Sequence, residues 1–400
     1  MSPQFWIQPN RQLDPLVNFM ILFLDRSEYI KNPYIRAKFI EIMHGWTQKS
    51  SEHLLDLYQE LVDQLSTKLM NFYIEVERTG ASSQFYDKFN IRFHISQIIK
   101  CIWDHPIHRK RLKDTSCNRR SFIQFINFLL NDTSFLLDEA MMKLTEIRKF
   151  QIDQASGIIE GLSGEEKKAR LEANITNERQ CTAYGQLGGE TLNMLSYITK
   201  EIKEPFLQDE VIDHLAAMLN YNLVHLAGPK CRELKVENPE KFFFRPRVWL
   251  GCLIQVFLNF LDYRSFLEAL ARDGRSFQPD TFRKASALIG KLGLGSEAEI
   301  ITFNNMIDQV IGIQASAAIE EEDLGEIPEE FLDPLMATLM EDPVLLTTSG
   351  NTVDRKTIIS HLLNHQIDPF NRMPITIEQV IPNTELKERI DKFLGEKRRK

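Results

Sequence analysis

Few residues in this chain are spaced to do chemistry by themselves. His105 and His108 stand three apart in DHPIH, residues 104–108, the spacing of half a zinc site. Tetrahedral zinc takes four ligands, however, and no second pair accompanies them, while Pro106 suits a loop or helix start. GKLGLGSE, residues 290–297, has three glycines, but it lacks the preceding strand and the lysine position of a phosphate-binding loop. The five cysteines, Cys101, Cys117, Cys181, Cys231 and Cys252, are odd in number, widely spaced and never form a CxxC pair. That pattern argues against a disulfide framework, a zinc knuckle or a Cys-His nucleophile; it reads as small buried hydrophobes in a reducing compartment. No metal or other cofactor is expected, so any activity has to come from surfaces that bind and position other molecules.

Composition supports protein partners. The formal net charge is −8 and the pI near 5.7, whereas nucleic acid and anionic membrane both call for a positive field. Neither is expected as a partner. No apolar run reaches the ~18 residues of a membrane span, and MSPQFWIQPNRQLD lacks the pattern of a secretory leader, so the chain is expected to be soluble and intracellular. The Asn-x-Thr triplets at Asn131 and Asn174 then carry no glycosylation meaning. The basic end GEKRRK reads as a solvated terminus, with nuclear targeting as the alternative.

With 400 residues, 43% hydrophobic and 26% charged, the chain should form two or three domains or one repeat structure growing in one dimension. Helical periodicity recurs from residue 13 to about 312. In residues 53–76, Leu54, Leu57, Tyr58, Leu61, Leu65, Leu69, Phe72, Tyr73 and Val76 fall at spacings of three and four. Similar segments cover 121–130, 134–150, 192–202, 210–226, 247–261 and 282–293, punctuated by NDTS at 131, GPK at 228, ENPEK at 237 and RDGRSFQPD at 272. Consecutive helices with scarce strand signals favour an elongated α-solenoid, an armadillo-like helical array, although no clean repeat period is readable. Residues 161–180 are strongly charged and read as a solvated helix or crossover. Residues 318–330 contain seven acidic positions of thirteen and read as a linker, assigned to 318–326, between a helical domain over 1–317 and a small α+β domain over 327–400.

In that last domain PVLLTT and NTVDR form a hairpin through Ser349, Gly350 and Asn351, and Asp354 caps a helix carrying Ile358, Ile359, Leu362 and Leu363. The loop IDPFNRMPIT comes next, then a helix capped by Asn383 with Leu386, Ile390, Phe393 and Leu394 at spacings of four, three and one. Residues 326–400 contain no cysteine and only His361 and His365 as histidines, so no four-ligand zinc site can be built there. Polar contacts must hold the loops. The candidates are Asp342, Asp354, Arg355, His361, Asp368 and Asn371, with His361 read as a structural histidine; sequence alone does not pair them.

The stretches IPEEFLDPLMATLMEDPVLL, SGNTVDRKTIISHLL and DPFNRMPIT resemble a U-box, a ubiquitin-ligase module with RING topology and no zinc. Residues 204–260 and 16–43 are similar to the helical core of U-box ubiquitin conjugation factors, the fourth-enzyme class that elongates chains on ubiquitylated proteins. Members are generally much longer at the amino end, which makes this chain a carboxy-terminal part or a short member. The resemblance implies that Leu335, Pro369 and Phe370 bind a ubiquitin-conjugating enzyme and that Arg372 is the cation bridging that enzyme and donor ubiquitin. The alternatives are core packing for Leu335 and Phe370, and pairing with the acidic linker for Arg372. Where many chaperone-linked U-boxes carry an aromatic, this chain has Ala337, which implies weaker binding or a different choice of enzyme. The implied activity is ubiquitin transfer without a covalent intermediate. Implied partners are the conjugating enzyme, ubiquitin, ubiquitylated substrates, an AAA unfoldase and proteasome shuttle proteins, in cytoplasm and nucleus. The competing reading is a non-catalytic helical scaffold for the same pathway.

Overall fold

The computed structural model describes residues 14–49, 59–78 and 85–397. The chain is mainly α, and contacts divide it into two units. The first runs up to Pro205 and includes His225–Asn259; the second joins Phe206–Val224 to Phe260–Lys400.

In the first unit the helices are α1 (Asp14–Phe23), α2 (Pro33–Lys49), α3 (Gln59–Glu75), α4 (Phe85–Asp104), α5 (Pro106–Ser116), α6 (Arg119–Ala155) and α7 (Gly164–Glu201), joined by the end of α8 (Ile212–Ala227) and by α9 (Pro246–Phe260). The segment expected over 53–76 appears as α3; residues 53–58 lie outside the described residues. Pro106 opens α5, with His105 in the capping position.

The largest departure from expectation is NDTS at 131, which breaks nothing: α6 continues through it for 37 residues. Polar residues in a helix interior are tolerated when tertiary partners satisfy them. Asp132 is buried, receiving Arg92 Nη1 at 2.8 Å and the Tyr73 hydroxyl at 2.7 Å. Thr133 donates to the Leu129 carbonyl at 2.7 Å. Residues 192–201 likewise belong to α7, with Ile202 as its C-cap; the helix starts at a Ser163–Glu166 capping box and remains mostly exposed until Cys181. The charged stretch 161–180 is therefore largely the solvated first half of a long helix. Beyond it α6 and α7 pack closely, since a Cβ at Gly188 would lie 3.2 Å from Leu137 Cδ2.

The second unit contains most of α8, then α10 (Arg264–Arg272), α11 (Pro279–Leu292) and α12 (Glu297–Leu324). GKLGLGSE forms the joint between α11 and α12: Gly293 takes a left-handed φ of 65° as C-cap, and Ser296 accepts the Glu299 amide at 3.3 Å. The acidic segment is not an extended tether, because α12 continues to Leu324 before Gly325 turns the chain at φ 63°. Glutamate is a good helix former, and the helix is already anchored upstream by buried Phe303, Met306, Ile307 and Val310.

The terminal region continues the same unit: β1 (Pro343–Leu346), β2 (Thr352–Asp354), α13 (Arg355–Asn364), β3 (Val380–Pro382) and α14 (Thr384–Lys397). The sheet order is β2-β1-β3, antiparallel throughout, pairing Val344 with Val353 and Leu345 with Ile381. Strand β3 escapes sequence reading because three residues are too short for alternation to register. One cluster buries Val344, Leu346, Val353, Ile358, Leu362, Ile375 and Val380; another buries Phe331, Met340, Leu386 and Ile390 beside Phe393 and Leu394. Lys356 of α13 also pairs with Asp213 of α8, which Arg272 holds at 2.6 Å.

Candidate functional site

Two loops in the terminal region share one backbone design, offset by thirty-five positions. The first, around DPLMA, begins at Asp333 and the second, around DPFNR, at Asp368. Isolated bridges Leu332–Leu339 and Ile367–Pro374 close their bases. In the first, the Asp333 amide donates to the Thr338 carbonyl at 2.7 Å, and the Ala337 amide to the Asp333 carbonyl at 2.7 Å. In the second, Asp368 donates to Met373 at 2.8 Å, and Arg372 to Asp368 at 2.9 Å. Both carboxylates turn inward and accept the amide two residues on: Leu335 at 2.7 Å in one loop, Phe370 at 2.8 Å in the other. The fifth residue of each loop is left-handed, with φ 55° at Ala337 and 61° at Arg372.

Each aspartate is fully buried and uses its second oxygen to reach another element. Asp333 accepts the Asp354 amide at 2.8 Å, and Asp368 accepts the Thr348 hydroxyl at 2.5 Å. Cross-linking of loops to a central hairpin and helix, the task that a metal would perform, thus falls to carboxylates with neutral donors. Burial alone would push the Asp368 carboxyl up, but the hydroxyls of Ser349 and Thr348 and the amides of Phe370 and Asn371 outweigh it and hold its pKa below the usual aspartate value.

The expected polar residues find their partners around these anchors. Asp354 caps α13 by accepting the Lys356 amide at 3.0 Å, and its other oxygen takes the amides of Glu341 at 2.6 Å and Asp342 at 3.0 Å. Arg355 Nε donates to Asp342 at 2.5 Å. His361 Nε2 lies 2.9 Å from the Ile367 carbonyl, which can only accept, so this nitrogen carries the proton. Asn371 donates to the Thr348 carbonyl at 2.9 Å and accepts the Met373 amide at 2.9 Å. Sequence reasoning misses Asp333; the repeated Asp-Pro pair, at 333 and 368, is the signal that could have found it.

The same design turns apolar side chains outward. Leu335 is 41% exposed, Met336 62%, Phe370 39% and Met373 53%, with Pro369 half-buried. Neither Leu335 nor Phe370 belongs to the buried clusters. Arg372 is exposed and makes no ion pair among the described residues. Among the described residues no group of three or more potential metal ligands occurs.

The cysteines correct one expectation. Cys181 alone is buried, with burial pushing its thiol up to about 12. Cys101, Cys231 and Cys252 are half-buried, and Cys117 is exposed. No described helix is long and apolar enough to cross a membrane.

Residues 1–311 match the family model for the ubiquitin elongating factor core, and residues 327–399 match that for the U-box domain. The ubiquitin conjugation factor E4 of Schizosaccharomyces pombe is 43% identical over 397 residues, covering 97% of this chain and 39% of that protein. The E4 ubiquitin-protein ligase UFD2 of Saccharomyces cerevisiae is 37% identical over 407 residues, covering 97% and 42%. Ubiquitin conjugation factor E4 A of Rattus norvegicus is 34% identical over 408 residues, covering 96% and 38%. The chain spans about two fifths of the length of these relatives.

Proposed function

Because the chain belongs to the ubiquitin elongating factor family, with that family's core followed by a U-box, we propose that it extends ubiquitin chains on proteins that already carry ubiquitin. The observation supporting this reading is the pair of matched loops that expose Leu335, Phe370 and Arg372 on rigid backbone. Leu335, Pro369 and Phe370 engage a ubiquitin-conjugating enzyme, an exposed apolar set fitting a protein contact. Arg372 donates from its planar fork to that enzyme and to the donor ubiquitin together, which restrains the thioester-linked ubiquitin.

In the transfer, an acceptor lysine amine attacks the thioester carbonyl, a carbon–nitrogen bond forms, and the conjugating enzyme's thiolate leaves. This chain contributes positioning and positive charge rather than a nucleophile. Helices α1 to α12 present the ubiquitylated substrate. An AAA unfoldase and shuttle proteins of the degradation pathway are proposed as further partners, in cytoplasm and nucleus.

The test is reconstitution with activating enzyme, a panel of conjugating enzymes, ubiquitin, ATP and a monoubiquitylated substrate. Arg372→Ala and Leu335→Ala, each folded, should lower chain extension by about tenfold or more, the range of a lost transition-state donor or interface anchor. Full activity in both variants, or none in the native chain with any conjugating enzyme, would sink the proposal in favour of a scaffold.

A further inference from the structure

The loop that leads into α9 turns cations and apolar groups outward. It reads Phe242-Phe243-Phe244-Arg245-Pro246-Arg247-Val248. Phe242 and Phe244 are buried, and Phe244 meets Trp249 edge-on at 5.3 Å. Phe243, between them, is turned outward and is 39% exposed. Its φ of 52° and ψ of 16° are left-handed, a region that crowds the Cβ of a bulky L-residue against the following carbonyl oxygen.

The surroundings keep that conformation in place. Phe242's carbonyl oxygen lies against α7 so closely that a Cβ at Gly185 would stand 2.1 Å from it. Lys241 Nζ binds Glu178 of the same helix at 2.6 Å, and the Glu237 amide donates to Gln151 of α6 at 2.9 Å. These contacts clamp the loop to the α6–α7 pair before the outward ring, and after it Trp249 packs on α7, where a Cβ at Gly189 would stand 3.2 Å from the indole Nε1. Just beyond it, Arg245, Arg247 and Val248 are exposed. Neither guanidinium has a hydrogen-bond or ion-pair partner among the described residues.

We propose that Phe243, Arg245, Arg247 and Val248 form a docking surface for an acidic protein segment, one that lays an apolar side chain on Phe243 and Val248 and gives carboxylates to the two guanidinia. Aromatic and arginine side chains are the types enriched where protein interfaces gain most of their energy. Guanidinium forks match carboxylates bidentately. Because the ring is held outward before any partner arrives, less side-chain entropy is lost on docking. Nucleic acid would need a wider positive field than two arginines in a chain of net charge −8 provide. This surface lies outside the U-box and goes beyond the proposed ligase reading, so its test does not depend on ubiquitin transfer.

The probe is a fluorescein-labelled peptide with one leucine flanked on each side by glutamates, titrated with the full chain and read by polarisation. Controls replace the glutamates by glutamine or the leucine by serine, and competitors are an oligothymidylate and phosphatidylserine vesicles. The acidic peptide should bind saturably; Arg245→Glu/Arg247→Glu, with unchanged melting, should weaken it about tenfold or more, and Phe243→Ala about threefold or more. The leucine-to-serine peptide should also bind more weakly. Absence of saturable binding, equal binding by the arginine variant, or displacement by oligothymidylate or vesicles as readily as by unlabelled peptide would overturn the proposal.

Discussion

The loops at Asp333 and Asp368 have nearly the same backbone and very different surfaces. One shows Leu335, Met336 and Ala337 to solvent; the other shows Phe370, Asn371 and Arg372 at the corresponding places. The shared part is an aspartate buried beneath its own loop, and the variable part is the three residues after the proline. Structure and chemistry are thus separable within five residues, and each can be altered while the other is watched.

The largest expected effect comes from removing the anchors. Asp333→Ala leaves the amides of Leu335, Met336 and Asp354 without their acceptor. Orphaned buried donors cost ~1–3 kcal/mol each, so about 3–4 kcal/mol is expected after partial rescue by water. Asp354 is itself the cap of α13, so the damage reaches three elements. Asp368→Ala frees the amides of Phe370 and Asn371 and the hydroxyls of Thr348 and Ser349 and should cost about 2–3 kcal/mol, since both hydroxyls can turn to water. Urea unfolding monitored in the U-box measures both. A larger loss from Asp368→Ala than from Asp333→Ala would break the proposed ranking of the two anchors.

A smaller effect should accompany a change of pH. Asp368 is held below the ordinary aspartate value by the donors around it. A depressed folded-state pKa adds stability that is fully present above the unfolded value, ~4, and disappears as pH falls through the folded one. The stability advantage of the native chain over Asp368→Asn should therefore hold constant from pH 7 to about 5 and shrink below about 4. Thermal melts extended down to pH 2 decide it, and an advantage that does not decline at all below pH 4 would contradict the assigned hydrogen bonds.

How much of this was legible in the sequence differs by region for a physical reason. The hairpin, α13 with its Asp354 cap and α14 with Asn383 are local features, each written in a few adjacent residues, and all are present: Asn383 accepts the Leu386 amide at 3.1 Å. The break expected at NDTS was wrong because the partners of Asp132 are Tyr73 and Arg92, fifty-nine and forty positions away. Local rules treat Asn, Asp and Thr as helix breakers only when no distant donor claims them. The candidate site shows the same division. Asp354 was legible as a cap, whereas Asp333 became visible as an anchor only once its own loop had closed over it.

The smallest expected effect sharpens the comparison most. Ala337 and Arg372 both occupy left-handed backbone, which costs a residue with a Cβ about 1–2 kcal/mol relative to glycine. Glycine returns part of that through its freer unfolded chain, ~0.5–1 kcal/mol. Ala337→Gly and Arg372→Gly should therefore each stabilise the domain by about 0.5–1 kcal/mol, by the difference of those terms. Their activities should diverge: Ala337→Gly keeps chain extension because it removes only a methyl, and Arg372→Gly loses it with the guanidinium. Equal stability gains with opposite activities would show that the fifth position of each loop is one backbone requirement serving two separate surfaces. If Arg372→Gly instead destabilised the domain while Ala337→Gly stabilised it, Arg372 would be a structural residue and the equivalence of the loops would fail.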